Sequence, residues 1–194
     1  MKVLENRNFK FLSASTVDVK KYTFGSRDWI PVRQGFLWKI ERGAVRTLTW
    51  NQQGTPVTLG LWGAGDVVGA PLTRVEPYKI ESLTPVELNL VPFQPWEELF
   101  FSLISYVQQS EELIRIIRSD RVPMRLHQFL IWLAEKFGTP VEIGRRIDLR
   151  LTHQDIAEFI GTSRVTVTRL IKLFEREGVI VRARRHLILL DTIM

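Results

Sequence analysis

The chain has 194 residues, of which 45% are hydrophobic and 25% charged, so we expect a folded protein of two domains. Its net charge of +6 favours a polyanionic partner. It contains no cysteine, which excludes disulfides, thiolate metal sites and cysteine-bound iron–sulfur clusters. The sequence has neither a secretion signal nor an apolar run long enough to span a bilayer, so we expect a cytoplasmic protein without a membrane partner.

Residues 1–95 have the pattern of a small β domain. Short runs of aromatic and β-branched residues, such as 35–40 and 44–50, alternate with turn sequences at 51–54 and 63–66. Regularly spaced short strands predict an antiparallel barrel or jelly roll. We expect the tryptophans of this region to fill its core, which leaves little room for a ligand pocket.

Residues 96–120 predict a long amphipathic helix that forms a dimer. Apolar residues recur there at alternating spacings of three and four, which is a heptad-like pattern. So broad an apolar face can cover both the β domain and a second copy of the helix. A helix packed only on its own domain is the alternative. The predicted dimer interface consists of Leu99, Leu103, Tyr106, Val107, Ser110, Leu113, Ile114 and Ile117.

A break near Pro123 separates this helix from a third region, residues 121–194. Proline lacks the N–H group that a helix interior needs, so the domain boundary is placed here. A second helix is predicted to end near Gly138, and residues 147–151 alternate like a strand. Two short β segments around the basic stretch 182–185 predict a wing.

Residues 151–178 predict two short helices joined by a sharp turn. Thr152 can cap the first helix, and Asp155 can complete a capping box three residues later. Gly161 permits the turn, and Thr162 or Ser163 can cap the second helix. The apolar residues of each helix share one face, as a helix-turn-helix requires.

The opposite face of the second helix is basic, and residues 162–186 contain seven Lys or Arg against two Glu. Arginine donates two hydrogen bonds to a guanine edge, and valine or threonine methyl groups contact the thymine methyl. The predicted base-contacting residues are Arg164, Val165, Thr168 and Arg169. Phosphate contacts are expected from Thr152, His153, Gln154, Ser163, Thr166, Lys172, Arg182, Arg184 and Arg185.

This order of a β roll, a long helix, a hinge and a winged helix-turn-helix resembles the Crp/Fnr family of bacterial transcription regulators along nearly the whole chain. Residues 164–169 are similar to the recognition helix of the global nitrogen regulator (NtcA-like) branch. The resemblance implies an α+β fold whose N-terminal jelly roll is like a cyclic-nucleotide-binding domain. It also implies a homodimer on a palindromic operator with outer GTA-like half-sites, with RNA polymerase as a further partner.

The cyclic-nucleotide cassette of that family is degenerate in this sequence. The family has a glycine–glutamate pair after a strand and then an arginine with a serine or threonine that holds the phosphate. Here Gly69 is followed by Ala70, and the later region contains Glu76. The resemblance therefore implies no cAMP binding, an effector that stays unknown, and no cofactor or metal. The chain also begins late for the family, which predicts abbreviated first strands.

Two other classes of function are weaker interpretations. In the first, ligand sensing by the β roll is the main activity and DNA binding is weak; a pocket with converging polar groups would favour it. The second is an enzyme, which we do not expect, because the sequence has no glycine-rich phosphate loop, no metal-ligand spacing and no nucleophile–base pair.

Overall fold

The computed structural model describes residues 21–94 and 96–191. Two antiparallel sheets form an N-terminal β roll, a long helix follows, and a third antiparallel sheet accompanies the C-terminal helices. The predicted α+β fold is confirmed. The predicted shortening of the first strands concerns residues that lie outside the described ranges. None of the helices in those ranges is long and apolar enough to cross a membrane.

The β roll consists of two four-stranded sheets with the orders β1-β8-β3-β6 and β2-β7-β4-β5. A turn of 3-10 helix, Ala70–Leu72, separates β6 from β7. The strands are β1 Lys21–Phe24, β2 Trp29–Ile30, β3 Phe36–Arg42, β4 Val45–Trp50, β5 Pro56–Trp62, β6 Val67–Val68, β7 Lys79–Ser82 and β8 Val86–Pro92.

Two tryptophans fill the space between the sheets. Trp38 and Trp62 are buried, and the indole N–H of Trp62 donates to Thr47 Oγ1 over 3.0 Å. The prediction that tryptophans fill the core is wrong for Trp29, which is 54% exposed and lies 6.3 Å from the Trp50 ring. Trp29 pairs with Glu81 in the two-residue strand β2, at one end of the sheet order β2-β7-β4-β5.

Four α-helices follow the roll after a 3-10 turn, Trp96–Leu99: α1 Phe100–Ile117, α2 Val122–Phe137, α3 His153–Ile160 and α4 Arg164–Arg176. Residues 118–121 separate α1 from α2 and are called the hinge below. Pro123 lies in the first turn of α2, where a missing N–H breaks no helical hydrogen bond.

The third sheet has the order β11-β12-β10-β9, with β9 Gly138–Val141, β10 Gly144–Ile147, β11 Ile180–Ala183 and β12 His186–Leu190. β11 and β12 form the predicted wing. The strand predicted over residues 147–151 is wrong beyond Ile147, because the pairing with β12 and with β9 ends there.

The largest hydrophobic cluster crosses the predicted boundary between the roll and the C-terminal helices. It joins Ala44, Leu61 and Leu83 of the roll to Ile116 of α1 and to the inner faces of α2, α3 and α4. The predicted inner faces are buried: Leu126, Phe129, Leu130, Leu133, Ile156, Ala157, Ile160, Val167, Leu170, Ile171 and Phe174. The division into residues 1–95, 96–120 and 121–194 stays a prediction.

Candidate nucleic-acid interface

Local hydrogen bonds set the bend between α3 and α4. Thr152 and Asp155 form the predicted capping box: Thr152 Oγ1 accepts from the Asp155 backbone N–H over 3.1 Å, and Asp155 Oδ2 accepts from the Thr152 N–H over 2.8 Å. Gly161 takes the left-handed conformation at φ 67°. Ser163 caps α4 by accepting from the Thr166 N–H over 3.1 Å. These caps fix where α4 begins.

The N-terminal part of α4 presents its predicted base-contacting side chains outward. Arg164 and Arg169 are exposed, and Val165 is 78% exposed although it is apolar. On the other side of the helix, Val167 and Leu170 are buried in the core. The helix therefore offers two guanidinium groups and a methyl-bearing side chain to solvent on one surface.

Thr168 is tied to α3 instead of being fully exposed. Its hydroxyl donates to the Arg164 carbonyl over 2.9 Å and lies 2.8 Å from His153 Nδ1. Because the hydroxyl hydrogen is already used, a base edge can be contacted only by the methyl group of Thr168 or by lone-pair acceptance. This hydrogen bond also links the first turn of α3 to the exposed face of α4.

One tautomer of His153 satisfies both contacts of Thr168. With the Thr168 hydroxyl donating to the Arg164 carbonyl, a neutral ring that carries its hydrogen on Nδ1 can donate to the same hydroxyl oxygen. Partial burial lowers the pKa of His153, and the positive charges of Arg182 and Arg164 lower it further. In the neutral ring, Nε2 has no hydrogen with which to bind a phosphate oxygen.

The other predicted phosphate contacts surround this face. Ser163 Oγ and Thr166 Oγ1 lie 2.9 Å apart. Arg182 Nε donates to Glu175 Oε1 over 2.9 Å, which offsets part of its charge. Among the predicted phosphate-contacting residues, His153 and Thr166 are half-buried. The others are exposed: Thr152, Gln154, Ser163, Lys172, Arg182, Arg184 and Arg185.

Arg150 is a basic residue beside the interface that sequence reasoning missed. It is exposed, and its guanidinium lies 3.3 Å from Nε2 of His186, the first residue of β12 in the wing. The sequence places Arg150 in a predicted strand over residues 147–151 and not in the helix pair. The signal that points to it is its position two residues before the cap of α3, because helix N-termini bind phosphates.

The structure divides the predicted dimer interface on α1 into two faces. Five of its residues contact their own chain: Leu99 and Leu113 are buried, Leu103 packs on the cluster of Leu37 and Val67, Tyr106 stacks on Trp62 at 4.4 Å, and the Ser110 hydroxyl donates to the Tyr106 carbonyl. The roll packs along this side of α1 at Leu103 and Tyr106. The part that these five residues take in a dimer stays a prediction.

The other side of α1 is apolar and exposed. It carries the remaining predicted residues Val107, Ile114 and Ile117, together with Phe100 and Ile104, at exposures of 55%, 54%, 42%, 43% and 40%. We call these five residues the outer stripe. Their spacing of four, three, seven and three residues keeps them on one face of the helix.

The region of the degenerate cassette forms a depression of about 510 Å³ on the roll. Arg74, Glu76, Tyr78 and Lys79 line it, so a carboxylate lies among its basic side chains. Burial raises the pKa of the Tyr78 hydroxyl. Within the described ranges, no group of three histidine, aspartate or glutamate side chains could hold a metal ion. The absence of cAMP binding stays a prediction.

Known proteins share both the sequence and the fold. A family model described as a Crp-like helix-turn-helix domain matches residues 124–192. Regulatory protein CysR of Synechococcus elongatus is 41% identical over 91% of this chain and 86% of its own length. A global nitrogen regulator of Synechocystis sp. is 35% identical over 67% of this chain and 65% of its own length. A CRP-family transcriptional regulator of Thermus thermophilus matches with a TM-score of 0.73 at 22% identity, covering 88% of this chain and 92% of that one.

Proposed function

Since this chain belongs to the Crp/Fnr family of transcription regulators, with global nitrogen regulators among its relatives as predicted, we propose that it binds a palindromic operator as a homodimer. The helix-turn-helix makes it a DNA-binding protein, and its relatives are regulatory proteins rather than enzymes. A regulator of this kind works in the cytoplasm, where bacterial DNA lies. RNA polymerase is a further proposed partner.

The outer stripe supports the dimer. Five apolar side chains exposed along one helix face are costly in water, and a second α1 offers the same stripe in return. A two-fold axis through this contact gives two copies of α4. Binding both to one face of a duplex requires them to lie about one helical turn apart, roughly 34 Å.

The exposure of Val165 is the observation that carries the proposed DNA contact. A valine 78% exposed between two arginines on α4 is largely uncovered by the described part of its own chain, whereas a thymine methyl in the major groove would cover it. In our proposal Arg164 and Arg169 contact base edges on either side of it. The predicted phosphate contacts, with Arg150 added, fix the position of α4 on the duplex.

The test is a titration of two labelled duplexes, one with the full palindrome of outer GTA-like half-sites and one with a single half-site. We expect the full palindrome to bind one dimer at least tenfold more tightly than the half-site at about 0.15 M salt. Sedimentation of the complex gives the stoichiometry. Equal affinities for the two duplexes, or one protomer per duplex, would contradict the proposal. Equal affinities combined with tight binding of a small molecule would support the ligand-sensing alternative.

A further inference from the structure

A cluster of five charged side chains joins the β roll to α3; four of them are largely buried, and the Arg27 side chain is 37% exposed at its edge. The roll contributes Arg27, Arg46 and Glu81, and α3 contributes Asp155 and Glu158. Arg46, Glu81 and Asp155 are each less than 10% exposed: 8%, 7% and 7%. Charges are removed from water in this way only when they are paired, so these contacts are specific rather than incidental.

The hydrogen bonds of Arg27 and Arg46 to α3 cross the boundary between the two regions. Arg27 donates from Nη1 and Nη2 to the two carboxylate oxygens of Asp155, over 2.9 and 2.7 Å. Arg46 Nη1 donates to Glu158 Oε2 over 2.9 Å and lies 3.3 Å from Asp155 Oδ1. Nε of Arg46 donates to Glu81, its neighbour within the sheet.

The backbone of the roll holds Arg27 in place for this contact. Arg27 has the left-handed φ of 70° in the turn between β1 and β2, a conformation that non-glycine residues rarely adopt. Its N–H donates to the Ser82 carbonyl over 2.8 Å, and the Ser82 hydroxyl donates to the Gly25 carbonyl over 2.5 Å. The turn is thus fixed to β7, and the guanidinium is pre-organised.

Asp155 has two tasks in this arrangement. Its carboxylate completes the capping box that begins α3, and it also accepts both hydrogen bonds from Arg27. Burial alone would raise the pKa of Asp155, but the hydrogen bonds from Arg27 and Thr152 hold it below its usual value. The carboxylate that caps the first helix of the helix-turn-helix is therefore the same group that Arg27 of the roll binds.

We propose that Arg27 and Arg46 form an ionic latch that fixes the orientation of the helix-turn-helix relative to the roll and to the outer stripe. This inference rests on the proposed function, because the orientation matters only when two protomers must present α4 to one duplex. Arg27 and Arg46 are positioning residues: they act on DNA binding through α3 and do not touch the DNA.

Apolar contacts alone do not supply this orientation. Apolar burial is non-directional, whereas a two-pronged arginine–carboxylate contact has one favourable geometry. A second polar contact crosses the same boundary, where Lys136 of α2 donates to Asp66 Oδ2 over 2.6 Å. Polar contacts therefore join the roll to α2 and to α3, which both follow the hinge in the chain.

The latched orientation leaves the DNA-contacting face open, since Arg164, Val165 and Arg169 are all exposed in it. The latch therefore favours the DNA-competent arrangement instead of blocking it. Losing it should widen the range of orientations and weaken binding to the palindrome, while contacts to non-specific DNA persist. For a coupling of ordinary size, the expected loss of palindrome affinity is about tenfold.

The test uses Arg27→Gln, with Arg42→Gln as the matched control. Arg42 is an exposed arginine of the roll whose ion pair, with Glu87 at 4.0 Å, stays within the roll. The chain has no cysteine, so Gln34→Cys in the roll and Glu177→Cys after α4 can be spin-labelled without further changes. Labelled chains diluted into unlabelled protein report the distance between the two regions within one protomer. The affinity for the palindrome is measured in the unlabelled variants.

We expect Arg27→Gln to broaden the distance distribution and to weaken palindrome binding about tenfold, and Arg42→Gln to do neither. Arg27→Lys, which keeps the charge but loses the two-pronged contact, should fall between them. Unchanged or tighter palindrome binding by a folded Arg27→Gln variant overturns the latch. If the parent protein shows no preference for the palindrome, the proposed function fails. In that case the distance measurement still tests the latch, because an unchanged distance distribution in Arg27→Gln would overturn it.

Discussion

Two guanidinium groups and one valine of α4 face away from the core, and the substitution of Arg164 tests a base contact most directly. Arg164→Ala should cost about 1–3 kcal/mol on the palindrome and relax selectivity at one base pair, because a two-pronged contact to a base edge is lost. Lys172→Ala is the matched control, since it removes an exposed charge from the same helix. It should weaken binding to all sequences alike and flatten the salt dependence by about one ion.

Competition titrations with singly substituted operators separate these two results. A loss of affinity for Arg164→Ala that is the same for every operator would assign Arg164 to a phosphate instead of a base. The exposure of Arg164 follows from the helical period of its neighbours, and the sequence therefore predicted it. The engaged hydroxyl of Thr168 did not follow, because it depends on how closely α3 crosses α4.

His153 should make DNA binding dependent on pH. Its pKa is lowered in the free protein, first by burial and then by Arg182 and Arg164, so the ring is neutral at pH 7. An approaching phosphate favours the protonated ring, which raises the pKa in the complex. The affinity for DNA should therefore rise as the pH falls through the pKa of His153 in the complex. It should level off below the pKa of His153 in the free protein, which lies below about 6.5.

The measurement is the palindrome affinity between about pH 5.5 and 8, near the histidine range. His153→Asn should remove most of the dependence. His127→Asn is the control, because His127 packs against the Phe174 ring on the inner side of α4. A pH profile that is the same in the parent protein and in His153→Asn would show that His153 takes up no proton on binding.

At the scale of elements, the outer stripe of α1 is the feature with the clearest consequence. Burial of each isoleucine stabilises by roughly 1.5–3 kcal/mol, and a two-fold contact contains two copies. Ile114→Glu should therefore raise the dissociation constant of the dimer by about 100-fold or more. Sedimentation velocity over a dilution series measures it.

Met124→Glu is the control for that change, because Met124 is 49% exposed on α2 and lies outside the outer stripe. It introduces the same charge at a similar exposure and should leave the dimer intact. If Ile114→Glu stayed dimeric at the concentrations where the parent protein is dimeric, the outer stripe would not be the dimer contact.

The elements differ in how far the sequence could predict them. The capping residues and the apolar period of a helix depend on residues that are close in sequence. The sequence therefore predicted the helix-turn-helix down to the capping box of Thr152 and Asp155. The heptad-like rhythm of α1 predicted a helix that can cover both the roll and a second copy, but not which residues face the roll. Which apolar residues the roll covers depends on tertiary packing, such as the stacking of Tyr106 on Trp62.

At the scale of the whole molecule, the roll and the DNA-binding helices are joined by contacts between residues far apart in the chain. Arg27 meets Asp155 across 128 positions, and Arg46 meets Glu158 across 112. No local pattern connects such pairs, so the sequence could not predict the latch. The fold family sets the order of the parts, whereas these side chains set how this chain holds them together.

The most direct test of the central claim, that two copies of α4 contact one duplex through Arg164, Val165 and Arg169, is selection of bound sequences from random DNA. The account predicts one enriched palindrome whose half-site centres lie about one helical turn, roughly 10–11 base pairs, apart. The Arg164→Ala protein should lose one enriched position in each half. Enrichment of a single unpaired half-site, or the same palindrome unchanged in Arg164→Ala, would contradict it.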